Sequence, residues 1–391
     1  LIEMGADKAN VKQTGNDLDL EGPEFISVHP KQDSLRFQSP RAKYDLKKYV
    51  ISAMDVKYIN VADARVFPDN GDVIIEKDAY IRPLVNSKIV ANSVTKYHNL
   101  YNCNVNVFAK KNYQGSGYYD YIDEDKKKVP FYFSNISVDT TFETYAETEI
   151  KDTSSFHLSP AFEFRGKVKL RARNQFLVFD GATTIASKCS EIPKTWFKFE
   201  SEINPNNILI PVPKKPLNGE GKPIAASMLI TGDTSHFYTA FLSPKVSNVK
   251  DSTVLAADGF LFYDKPTKEY RISNKEKLVE QSLPGNYLSL SMNNCKAVGQ
   301  GKINMGAEFG QVHLETFGII IHYLIPDTAT LDVLMSIDFF FNDNCIDGMA
   351  DKINSYTDLK PTDFSRKTFE AGMREMLGKE QADKLISQWN L

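Results

Sequence analysis

The stretch "VADARVFPDNGDVIIEKDAYIRPLVNSKIVANS", residues 61–93, decides the fold. It holds short runs in which apolar and polar residues alternate, and each run ends within a few residues at Asp, Asn, Pro or Gly. A period of two sends successive side chains to opposite faces of a strand, so Val73, Ile75 and the run Asp78 to Ile81 read as stations on successive strands. Asp69-Asn70-Gly71 has the chemistry of the turn between two strands, and Pro83 marks a strand edge because it lacks an N–H. The segment reads as one rung of a wall.

The same texture runs outward over some 300 residues, in phrases such as "NCNVNVFAKK", "VPFYFSNISVD", "QFLVFDGATTIA" and "DGFLFYDKPTKEYRI". These predict strands of about four to six residues with turn signals at hairpin or rung spacing. Helical periodicity is scarce between residues 34 and 340, which excludes a doubly wound α/β fold, since that fold needs a helix between successive strands. The expected class is mainly β: stacked short antiparallel strands forming a β-jelly-roll, an open β-solenoid or a sandwich, with a C-terminal helical segment. "FRGKVKLRARNQFLVFDGATTI" is echoed by "AADGFLFYDKPTKEYRI" and "GQGKINMGAEFGQVHLET", but no fixed period emerges, so a regular β-helix or propeller is not supported.

Four segments are expected. Residues 1–33, polar and without period, form a lead-in or linker; 34–190 form a β-rich rung or jelly-roll domain; 191–345 form a second β-rich domain; 346–391 are helical. A break falls near "SKCSEIPKTW", 187–196, and "VPKKPLNGEGKPIAA", 212–226, reads as a surface loop because Pro213, Pro216, Pro223, Gly219 and Gly221 punctuate it. From Thr362 to Trp389, the apolar residues Phe364, Phe369, Met373, Met376, Leu377, Leu385 and Ile386 recur at mostly helical spacing, weakened by Gly372 and Gly378. The absence of an initiator Met at Leu1 reads as a mature or internal piece of a longer protein.

With 391 residues, 42% of them hydrophobic and 25% charged, the chain has the composition of a globular protein with a large core. Its 47 basic and 50 acidic residues are scattered, and no basic stripe suits a phosphate backbone, so nucleic acid is not an expected partner. "DEDKKK", 123–128, reads as a solvated hairpin tip. "FGIIIHYLI", 317–325, is half the length of a bilayer span and reads as a buried strand, so no transmembrane helix is expected. Cys103, Cys189, Cys295 and Cys345 contain no C-x-x-C pair; buried thiols and long-range disulfides of undefined connectivity both remain open.

Reactive motifs are scarce. The six histidines show no H-x-H or H-E-x-x-H spacing, and neither a nucleophile elbow nor a P-loop is present. "QGSGY", 114–118, reads as a glycine-serine-glycine turn, with Ser116 a turn residue. Paired carboxylates for glycoside hydrolysis cannot be picked out by spacing along the chain. In the oxygen-rich "DFFFNDNCID", Asp338, Asp343 and Asp347 are candidate calcium ligands, although the EF-hand spacing is missing. "YQGSGYYDY" makes Tyr113, Tyr118 and Tyr121 candidates for ligand stacking, yet adjacent tyrosines on a strand face opposite sides. No cofactor and no catalytic residue is expected.

Residues 34–186, through "FQSPRAKYDLK", "YQGSGYYDY", "FRGKVKLRA" and "QFLVFDGATTI", resemble OstA-like β-jelly-roll domains of lipopolysaccharide-transport proteins. The whole chain also looks like part of the very large envelope proteins of Gram-negative Bacteroidota. The resemblance implies an extracytoplasmic location, on the periplasmic or cell-surface side of the outer membrane, and no catalysis. It also implies a groove whose apolar interior carries acyl chains, and other envelope or outer-membrane proteins as partners. The insert at 212–226 and the terminal helices depart from it. The expected function is a structural or conduit module for lipid or polymer; the rivals are a glycan-binding or glycan-cleaving β protein and an adhesin.

Overall fold

The computed structural model describes residues 2–5, 22–234, 236–246, 250–306, 312–338, 341–357 and 367–389. The protein is mainly β, every sheet is antiparallel, helices gather at the C-terminal end, and no sheet closes into a barrel among the described residues. The chain divides into two compact units: residues 1–159, 164–181 and 200–207 form the first, and 160–163, 182–199 and 208–391 the second. The division expected at one boundary near 190 is therefore spread over residues 160–207.

In the first unit the large sheet pairs strands mostly in chain order. Ile2–Gly5 pairs with Glu24–Ser27, which pairs with Arg36–Gln38; Ile59–Val61, Ala64–Phe67 and Leu84–Ala91 follow. A meander then runs through His98–Ala109, Asn112–Ile122, Lys128–Val138 and Thr144–Ile150 to residues 166–171. The segment expected as a lead-in thus supplies strands, and Phe25 on one of them is buried and stacks on Phe37 at 5.4 Å. A separate three-stranded sheet joins Arg41–Asp45, Val50–Met54 and Val73–Ile75.

Three consecutive meander strands are 11 or 12 residues long, about twice the expected length. The difference lies in "QGSGY": it sits inside Asn112–Ile122 and is not a turn. Gly117 faces Cys103 on the neighbouring strand so closely that a Cβ would run into the Cys103 Sγ, and Gly115 faces the Asn104 carbonyl in the same way. These glycines allow close approach within a sheet, a demand that local turn propensity does not encode. The turn falls instead at Asp123–Lys127, where the buried Asp123 carboxylate accepts from the backbone N–H groups of Asp125 and Lys127. Beneath the sheet, Tyr121, Phe131, Phe156, Phe164 and Phe179 form a cluster of edge-to-face and stacked rings.

The second unit contains a seven-stranded sheet in the order Ile210–Val212, Gly259–Asp264, Glu269–Ser273, Tyr287–Ser291, Lys296–Lys302, His313–Tyr323 and Thr328–Asp338. Its three-stranded sheet orders Phe237–Ser243, Ala225–Ile230 and Ser252–Ala256. The two sheets meet where Met228 and Leu255 approach Gly299 and where the Thr239 hydroxyl pairs with His322 at 2.9 Å. Cys189 and Cys295 form a disulfide across 106 residues, while Cys103 is a buried free thiol and Cys345 an exposed one.

The C-terminal helices are Asp343–Asn354, Lys367–Leu377 and Lys379–Trp389. The expected helix start at Thr362 and the side chain of Phe364 lie outside the described residues. Gly378, at φ +77°, separates the last two helices, a left-handed stop that glycine accepts without strain. Ala371, Met373 and Ala382 are buried, and Gly372 lies against Phe317 of the sheet.

Candidate functional site

Strand alternation separates the three candidate tyrosines. Tyr113 and Tyr121 point into the core of the first unit: the Tyr113 hydroxyl hydrogen bonds Thr144 at 2.8 Å, and the Tyr121 hydroxyl donates to the Leu158 carbonyl at 2.9 Å. Burial raises both phenol pKa values. Tyr118 lies on the opposite, solvent-facing side, directly across from Tyr101 on one neighbouring strand and Tyr132 on the other. The three residues named from the sequence therefore do not share a platform, but Tyr118 belongs to a row that they did not define.

The oxygen-rich run does not gather a ligand set. Asp343 and Asp347 sit exposed in the helix Asp343–Asn354, capped by Asn342, whose side chain accepts from the Cys345 N–H. Asp338 ends a strand, and its side chain lies outside the described residues. Among the described residues, no group of three or more His, Cys, Asp or Glu side chains has metal-ligating geometry.

The first unit holds a cleft of about 780 Å³. The pairing Tyr44–Ile51–Ile75 runs across the three-stranded sheet, so these side chains share a face, joined by Ala42. Phe25 forms the opposite part of the floor, and the turn Lys77–Ala79 closes one rim. The Gln32 amide fixes that turn by donating to the Ala79 carbonyl at 2.7 Å. The floor is apolar and the walls carry two exposed tyrosines, Tyr44 at 51% and Tyr49 at 65%, which a folded core would otherwise absorb.

Left-handed non-glycine residues occur along the chain, and three of them stand at the cleft. Tyr49, Asp78 and Ala79 all line the cleft, and all are left-handed, at φ +53°, +60° and +59°. For a bulky side chain this conformation is an outlier, and such outliers cluster at ligand clamps. The Asp45 carboxylate holds the hairpin tip by accepting from the N–H groups of Lys47 and Lys48. The charged lining residues are Lys77, Glu76 and Asp78, and Glu76 is already paired with Arg82.

Sequence reasoning missed Phe25, Tyr44 and Tyr49. The signal available was an aromatic in a turn, "DLKKYV", where Gly or Asn is the favoured left-handed residue. With an apolar floor, aromatic walls and a charged rim, the cleft suits an amphiphile, and its volume is in the range of small-ligand sites. No family model, no curated protein and no solved structure matches this chain.

Proposed function

We propose that the chain is a non-catalytic module of a larger cell-envelope protein, placed on the periplasmic or cell-surface side of the outer membrane, and that it handles lipid or polymer. The observation that carries the reading is the strained, apolar-floored cleft of the first unit. An acyl chain would replace water over Ile51 and the rings of Tyr44 and Tyr49, at about 25 cal/mol per Å² of apolar surface covered. Lys77 and Asp78 give the rim charged groups of both signs beside the apolar floor, which suits the polar head of an amphiphile. The Cys189–Cys295 disulfide supports an oxidising compartment.

Titration with the fluorescent fatty acid cis-parinaric acid tests this. Saturable binding is expected, weakened at least tenfold by Ala42→Trp, which fills the cleft from an exposed position without opening a hole in the core. An unmodified protein that leaves the probe in water, or a variant that binds it as tightly, overturns the reading.

A further inference from the structure

The solvent-facing side of the meander in the first unit carries a second surface, independent of the cleft. Tyr101, Tyr118 and Tyr132 are direct cross-strand partners on three adjacent strands, with ring centroids 5.9 and 4.9 Å apart. Tyr118 and Tyr132 are 38% and 47% exposed. The row is held in place at one end: the Tyr101 hydroxyl donates to Asp120 at 2.7 Å, and the Asp120 carboxylate stands 3.6 Å from the Lys128 ammonium.

Beside the rings lie two rows of amides and hydroxyls in register. Asn104 pairs with Ser116, and Asn106 with Gln114, on the same face as the tyrosines. Among the described residues, none of these four side chains takes part in a hydrogen bond, so their donors and acceptors are offered to solvent. Rigid amphipathic rings next to adaptable amide and hydroxyl groups combine flat apolar contact with hydrogen bonding at low entropic cost.

We propose that this face binds a neutral glycan chain laid across the strands, with sugar rings stacked on Tyr101, Tyr118 and Tyr132 and their hydroxyls bonded by the neighbouring amides. The ring centroids stand 5.9 and 4.9 Å apart, which offers one stacking station per sugar. Two opposite pairs stand on this face, Asp120 with Lys128 and Glu147 with Lys167, and among the described residues no run of basic residues lies beside the rings to select an anionic polymer. A single-stranded nucleic acid also stacks on aromatics, but needs a basic groove along its backbone, and this face lacks one. A protein partner needs a broad apolar centre, whereas here a single row of rings is bordered by amides and hydroxyls.

The rival explanation is that the row is only cross-strand packing, which stabilises a sheet by about 0.2–1 kcal/mol per pair. Isothermal titration of the whole chain with cellohexaose, maltohexaose and polygalacturonate separates the two. One of the neutral hexasaccharides is expected to bind, polygalacturonate is not, and the Tyr118→Ala/Tyr132→Ala variant is expected to lose at least tenfold in affinity. Tyr118→Phe should retain most of the binding because the ring remains, and Tyr323→Ala, which removes an exposed tyrosine from the other unit, should leave it unchanged. Thermal melts of each variant show whether the fold survives. No binding of either hexasaccharide, preference for polygalacturonate, or a folded double variant that binds normally would each overturn the proposal, whatever the fatty-acid titration shows.

Discussion

The Thr144 hydroxyl donates to the Asp63 carboxylate across 2.5 Å, and its oxygen is in turn hydrogen bonded by the Tyr113 hydroxyl at 2.8 Å. With its proton committed to Asp63, Thr144 can only accept from Tyr113, so the direction of the chain is fixed. Burial, the largest influence, holds the Asp63 pKa above its ordinary value. A carboxyl raised in the folded state binds more protons there than in the unfolded chain. Its contribution to stability is therefore full below the unfolded pKa of about 3.9 and is lost as pH rises through the folded value. Asp63→Asn keeps an acceptor for Thr144 and removes this titration. Melting temperatures of the two proteins from pH 3 to 7 should shift in favour of Asn as pH rises, and a constant difference would contradict the assignment.

Gly117 and Cys103 define a pairwise prediction. A Cβ at residue 117 collides with the Cys103 Sγ, so Gly117→Ala should destabilise the first unit by about 1–3 kcal/mol, the usual cost of overpacking. Cys103→Ala alone removes a buried thiol whose pKa burial has pushed up to about 12. The double variant should be more stable than the sum of the single losses, because the clash is gone. Urea unfolding of the four proteins measures the coupling, and strict additivity would show that the clash is relieved elsewhere.

These residues show how far a local reading reaches. Alternation in Asn112–Ile122 tells correctly that Tyr118 and Tyr119 face opposite sides, because side-chain direction depends only on the strand period. It does not tell that Tyr118 meets Tyr101, since register shifts between Tyr101 and Asn104 set that pairing. Gly115 and Gly117 look like turn residues until the strand bearing Cys103 and Asn104 is beside them. "EFIS" at 24–27 is too short to announce a strand between Pro23 and Pro30, yet Phe25 floors the cleft. The pairing of Cys189 with Cys295 likewise depends on a contact 106 residues away in the chain.

That disulfide closes a loop long enough to matter. In the chain-entropy account, a loop of about 100 residues restricts the unfolded ensemble by roughly 4.7 kcal/mol, and typical measured gains are about 2–4 kcal/mol. Cys189→Ala/Cys295→Ala should lower the stability of the second unit by about 2–4 kcal/mol in urea. The unmodified protein in reducing agent should fall by a similar amount, whereas the variant should not respond to the reductant.

Lys277 is buried, and its ammonium donates to the Leu283 carbonyl at 2.7 Å while lying 5.6 Å from the Phe317 ring centroid. Burial, opposed by the nearby Glu375 charge, lowers its pKa to about 8. Between pH of about 8 and the unfolded value of about 10.4, the unfolded chain holds a proton that the folded protein has released. Stability therefore rises with pH through that window and is lost as pH falls through 8. Lys277→Met should flatten this rise, leaving the unmodified protein to gain on the variant from pH 8 to 10. Parallel slopes in denaturant titrations would place the proton elsewhere.

Tyr49 sets stability against binding. Its left-handed backbone, at φ +53°, costs a bulky residue on the order of 1 kcal/mol, a cost that Asn in the same turn largely avoids. Its ring is 65% exposed at the mouth of the cleft and makes no compensating ring contact among the described residues. Tyr49→Asn should therefore raise the unfolding free energy by roughly 0.5–1 kcal/mol while weakening cis-parinaric acid binding severalfold. The two readouts together distinguish the explanations. A residue retained only for the hairpin would lose stability on replacement and leave probe affinity alone, whereas a strained clamp gains stability and gives up ligand.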